Sequence, residues 1–81
     1  MNFGRLKTSA RLQRVYQLLL PGREMSSLEI TLRAKVVAVG TCISELRANG
    51  AVIDCRVETR PEGGRVWLYR MTKRASETVD A

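Results

Sequence analysis

Between Val36 and Gly50 the chain reads VVAVGTCISELRANG, and its apolar positions recur with the period of an α-helix. Val39, Cys42, Ile43 and Leu46 fall at i, i+3, i+4 and i+7, which gathers them on one stripe about 100° wide. Asn49-Gly50 supplies residue types suited to a left-handed stop, and Arg47 suits the negative end of the helix dipole. The opposite side carries Val37, Thr41, Ser44 and Ala48, flanked by Ala38, Gly40 and Glu45. That face is small and weakly polar where a solvent-facing helix normally carries long charges, so it fits close approach to something.

Upstream, Thr8 and Ser9 are N-cap candidates for a helix running to about Leu20. Its stripe is Leu12, Val15, Tyr16 and Leu19, while Arg11, Gln13, Arg14 and Gln17 are expected to face out. Pro21-Gly22 ends it. Arg23-Glu24-Met25 is a connector, a stub of strand at most, with Met25 pointing inward. Ser26-Ser27-Leu28-Glu29 holds the S-x-x-E spacing of a capping box, so a short second helix is expected over Ser27 to Arg33. Its apolar residues are Leu28, Ile30 and Leu32.

Past Gly50 the period falls to 2. Val52 to Glu58 alternates, with Ile53, Cys55 and Val57 on one face and Asp54, Arg56 and Glu58 on the other. Arg60-Pro61-Glu62-Gly63-Gly64 is turn chemistry, and Arg65 to Met71 is a second strand. Its inner face is ambiguous between Trp67, Tyr69, Met71 and Val66, Leu68, Arg70. The first set is favoured, because the second would bury Arg70. Residues 1–8 read as a basic flexible arm, 9–72 as one domain and 73–81 as a disordered tail. Neither a hairpin nor a short helix is stable alone. Stripes around Leu12, Tyr16, Leu19, Ile30, Ile43, Leu46, Ile53 and Tyr69 are expected to close one core.

Charge narrows the partners. Up to Ala75, fourteen bases stand against six acids, a balance of +8, and the remaining segment adds only Glu77 and Asp80. Such a balance favours a polyanionic partner and says nothing about fold. The chain contains no histidine, no paired-carboxylate spacing, no phosphate-binding glycine loop and no metal-ligand cluster, so no catalytic residue is nominated and no cofactor or metal is expected. Cys42 and Cys55 lie in apolar patterns and are expected as buried thiols. No apolar run approaches a membrane span, and none follows the basic N-terminus as a leader would require. The expectation is a cytoplasmic protein without a membrane or small-molecule partner.

A short helix, a tight turn and a longer helix make the helix-turn-helix arrangement, which lays its second helix in the DNA major groove. The hairpin after it would be the wing. With Ser27-Leu28-Glu29-Ile30, Ile43-Ser44-Glu45-Leu46-Arg47-Ala48-Asn49-Gly50 and Tyr69-Arg70-Met71, the sequence resembles the winged helix-turn-helix superfamily, and more narrowly the small helix-turn-helix domains of bacteriophage and prophage genomes. In that group a short S-x-E-I segment precedes an I-S-E-L-R-x-x-G helix end, and a hairpin finishes in an aromatic residue before its last apolar position. The resemblance covers about Ser9 to Met71. It implies an α+β winged helix, three helices followed by a two-stranded wing, and a role in transcription regulation or in another DNA transaction.

On that fold, Arg33 and Lys35 bracket the turn entering the central helix, Arg56, Arg60 and Arg65 lie on or beside the wing, and Arg5 and Lys7 trail as an arm. Neutralising several phosphates from three such places is what supplies affinity for duplex DNA. Base reading normally uses Arg, Lys, Asn or Gln. This helix offers Val37, Ala38, Thr41 and Ser44, each a weak reader. Glu45 either accepts from a cytosine amino group or repels phosphate, and the resemblance implies that it helps position the helix end. Two readings stay open: a DNA-binding regulator or accessory factor with modest sequence preference, and a protein-interaction adaptor using the central helix face. A homodimer would have to use the first helix, the tail or the second strand's edge.

Overall fold

The computed structural model describes Leu6 and residues 8–75. Their elements run α1 (Ala10–Leu19), β1 (Met25–Ser26), α2 (Ser27–Ala34), α3 (Val39–Ala48), β2 (Val52–Thr59) and β3 (Arg65–Lys73). The architecture is α+β: three helices and a three-stranded antiparallel sheet in the order β1-β3-β2.

Local chemistry explains most of the boundaries. Ser9 is extended and its Oγ accepts from the Leu12 amide at 3.2 Å, which caps α1. Gly22, at φ 83°, turns the chain out of that helix while its amide donates to the Leu19 carbonyl at 3.0 Å. At α2 the capping box forms in full: Ser26 Oγ accepts from the Glu29 amide at 3.1 Å, and the Glu29 carboxylate accepts from the Ser26 amide at 3.3 Å. The chain enters α3 later than expected. Val36 to Ala38 form the turn rather than the first helical residues, and the helix begins at Val39. It ends at Ala48, and the stop is made at Gly50, at φ 96°, where the amides of Gly50 and Ala51 donate back to Arg47 and Leu46 carbonyls.

The helix stripes meet in one core. Leu12, Val15 and Leu19 of α1, Ile30 and Ala34 of α2, and Val39, Cys42, Ile43 and Leu46 of α3 are buried, together with Val36 and Ala51. Tyr16 and Tyr69 pack against this cluster and stay partly exposed. The sheet closes it with Met25, Ile53 and Met71.

Four further expectations change. The connector holding Met25 is a true strand, pairing Met25 with Tyr69 and Ser26 with Leu68, so the sheet has three strands instead of two. Two residues carry no period, and only the partner strand defines them. Second, β3 continues through Thr72 and Lys73, because Lys73 still pairs with Val52. Third, the register sets Ile53, Cys55 and Val57 opposite Met71, Tyr69 and Trp67, as one face should be. That face is nevertheless buried only at its root: Val57 is 41% and Trp67 48% exposed, and Cys55 is an exposed thiol. The hairpin is longer than the helical layer beneath it. Fourth, Arg11 is half-buried instead of facing water, for a reason that lies in α3. Arg70 does face outward, and its Nε donates to the Gly22 carbonyl at 3.1 Å. Among the described residues no helix is long and apolar enough to cross a membrane.

Candidate nucleic-acid interface

The α2–turn–α3 unit is held from behind. Glu45, 8% exposed, points back from α3 and accepts from Arg11 Nη2 of α1 at 2.5 Å. Asn49, also buried, donates from Nδ2 to the Glu45 carbonyl at 2.7 Å and accepts from the Leu6 amide at 3.3 Å. Arg47 reaches across to the sheet and donates to the Ile53 carbonyl at 2.6 Å. Arg14 Nε donates to the Ala34 carbonyl at 2.8 Å, placing a cation on the negative end of α2. Glu45 therefore belongs to the packing of α1 on α3 and not to a base-contacting face.

With Glu45 removed inward, the outward side of α3 carries no charge. Thr41, Ser44 and Ala48 are exposed there, Ala38 and Gly40 are exposed at its start, and Val37 is 98% exposed. A Cβ added at Gly40 would meet nothing within 4 Å, so this end stands clear of the body. Ala38 occupies the N-cap of α3 and, among the described residues, no side-chain cap bond is made there. Those amides and the positive end of the dipole are open to water or to an anion. Helical periodicity carried the helix back to Val36 and hid this feature, because it placed Ala38 inside the helix and not at its cap.

Arg33 and Lys35 flank this end. Both are exposed, and neither has a side-chain partner among the described residues. Lys35 closes α2 at φ 55°, ψ 50°, the single non-glycine residue with positive φ among those described. A left-handed lysine is strained by roughly 1–2 kcal/mol relative to an ordinary conformation.

On the hairpin the expected cations divide. Arg60 and Arg65 flank a turn closed by the Arg60 amide on the Gly64 carbonyl at 3.1 Å, and their side chains have no partner among the described residues. Arg56 differs. It clasps both oxygens of Glu24 at 2.7 and 2.8 Å and lies 3.5 Å from Glu58. The guanidinium's hydrogen bond holds the Glu24 carboxyl below its ordinary value, and the carboxylate in turn raises Arg56. Its charge is largely answered within the molecule, so Arg56 is a poorer phosphate contact than its position on the strand suggested. Arg5 and Lys7 lie outside the described residues.

The thiols also separate. Burial pushes the Cys42 thiol up from its ordinary range, consistent with a hydrophobic role in the core. Cys55 lies beside Tyr69, whose hydroxyl is raised chiefly by burial. Among the described residues no group of three or more His, Cys, Asp or Glu could hold a metal ion. An open depression between α1 and α2 is lined by Gln13, Arg14, Gln17, Leu18, Arg33 and neighbouring alanines; it contains no acid and extends the basic surface from Arg33 to Arg14. Compared with known proteins, the chain matches no family model, no curated protein and no solved structure.

Proposed function

We propose that this chain is a sequence-preferring double-stranded DNA-binding protein of winged-helix type, a regulator or DNA-transaction accessory factor of the phage and prophage kind, acting by binding and not by catalysis. The order of helix, short strand, two helices and hairpin is compatible with a winged-helix layout. The observation that carries the reading is the start of α3. A helix N-terminus without a side-chain cap, an uncharged small-residue face and two cations without a partner among the described residues, Arg33 and Lys35, are presented together. Backbone amides and cations bind phosphate, while Thr41 and Ser44 can reach base edges and Val37 or Ala38 can touch a thymine methyl. Arg60 and Arg65 supply a second backbone contact from the hairpin tip.

A second reading rests on one specific feature. Val37, 98% exposed beside Ala38, also suits a protein partner. Titration of duplex DNA at two salt concentrations, with random-sequence DNA and with DNA flanking the gene, separates the two. Salt-sensitive binding with a preference for the flanking DNA is expected. Arg33→Ala with Lys35→Ala should lower affinity and reduce the slope of log K on log salt by about 2, since each phosphate contact contributes roughly 0.9. Substituting Thr41 or Ser44 should change the ranking of sequences. Absence of binding at low salt would leave the adaptor reading.

A further inference from the structure

Among the described residues, the order β1-β3-β2 leaves β2 with a strand on one side only. The ladder shows which groups face the open flank. The Arg60 amide bonds the Gly64 carbonyl, and the register continues to Thr59 opposite Arg65. Antiparallel alternation then assigns the bonds to β3 to Glu58, Arg56 and Asp54. The amides and carbonyls of Thr59, Val57, Cys55 and Ile53 point the other way. The Ile53 carbonyl agrees, since it accepts from Arg47. That end of the edge is covered; among the described residues no strand pairs with the groups of Cys55, Val57 and Thr59, and all three residues are exposed. Such a row is a template for a further strand.

The side chains along it select the strand. Asp54, Arg56, Glu58 and Arg60 alternate in sign on one face. If a second β2 pairs antiparallel about an axis through an even-numbered position, like charges meet: Arg56 faces Arg56 of the partner subunit, and Asp54 faces the partner's Glu58. An axis through Val57 reverses this. Arg56 then faces the partner's Glu58, and Asp54 faces the partner's Arg60. The same axis matches every open group, Val57 against Val57 of the partner subunit and Cys55 against the partner's Thr59. Moving it to Cys55 would use the occupied Ile53 carbonyl, and moving it to Thr59 would call on Pro61, which has no N–H. On the opposite face Val57 and Trp67, paired across the hairpin and half-exposed, would continue into the same pair of the second copy.

We propose that β2 is a self-association edge, joining two copies of this chain antiparallel about a two-fold axis at Val57 into one continuous sheet. The strand expected to offer its edge was the second of the hairpin; β1 covers part of that strand, and the open edge belongs to the first. This pairing does not depend on DNA binding.

Sedimentation equilibrium over a wide concentration range tests it on the full chain, with the fluorescence of Trp67, the single tryptophan, as a local reporter. A reversible dimer is expected, and Trp67 emission should shift along the same isotherm. Val57→Pro removes an outward amide without breaking a bond to β3, and should weaken dimerisation by about tenfold or more. The exposed charges provide a test if that variant does not fold. Asp54→Arg and Arg60→Asp should each weaken self-association about tenfold through like-charge contacts, and an equimolar mixture should recover wild-type strength as a heterodimer. A monomer at every concentration overturns the proposal. So does a dimer indifferent to these substitutions, or a mixture that fails to recover.

Discussion

The central helix and the hairpin carry apolar stripes of similar regularity, yet the protein treats them differently. Every stripe residue of α3 is buried, from Val39 to Leu46. On the hairpin the stripe is buried at Ile53 and Met71 and opens to solvent at Cys55, Val57 and Trp67. Periodicity reports which side chains share a face, and it reports nothing about whether that face has a neighbour. For α3 the neighbour is assured on both sides, because α1 and the root of the sheet pack against it. The outer hairpin leaves Cys55, Val57 and Trp67 exposed, with no helix of the described residues covering them.

Stability measurements can break this contrast. Leu46→Ala removes a side chain with no exposure and should cost roughly 2–5 kcal/mol, enough to unfold much of so small a domain. Val57→Ala, on the same kind of pattern, should stay within about 1 kcal/mol in chemical denaturation. Equal costs would mean that the outer hairpin is covered in solution.

Next in size is the polar link that holds α3 to α1. Arg11→Met leaves the Glu45 carboxylate with its guanidinium partner gone in a largely buried place, and should cost about 1–3 kcal/mol. The hairpin's counterpart, Arg56 with Glu24, is solvent-exposed, so Arg56→Met should leave the thermal melt little changed.

Lys35→Gly sharpens the division between stability and function. It relieves a left-handed lysine and should raise stability by about 0.5–1 kcal/mol while weakening DNA binding through the lost cation. A destabilised Lys35→Gly protein would mean that the lysine stem contributes packing that outweighs its backbone strain.

The smallest effects concern titration and reactivity. In the native protein one thiol, Cys55, should react with an aromatic disulfide reagent, and Cys42 only after unfolding. Glu24, held below its ordinary value of 4.5 by Arg56, contributes stability that is fully present above that value and fades as pH falls through the lower folded value. Glu24→Gln should remove that part of the acid limb and leave melting near neutral pH little changed.

The positions that could be named from the chain alone are those governed by neighbours a few residues away. Ser9 and the Ser26–Glu29 box cap their helices through bonds spanning three residues, and Gly22 and Gly50 turn the chain where a positive φ is needed. The core stripes of α1 and α3 follow from helical period, as do the exposed positions Thr41 and Ser44 on the far side.

Tertiary structure alone decided where long-range partners fall. It made Met25 and Ser26 a strand by bringing β3 beside them, turned Glu45 inward by setting Arg11 across from it, and answered the charge of Arg56 with Glu24. It left Arg33, Lys35, Arg60 and Arg65 unpaired among the described residues, and it uncovered the outer hairpin and the flank of β2. Local patterns arise from backbone geometry that each segment carries with it. Whether a face is covered or a charge is answered depends on which segments meet, and that is set only when the whole core closes.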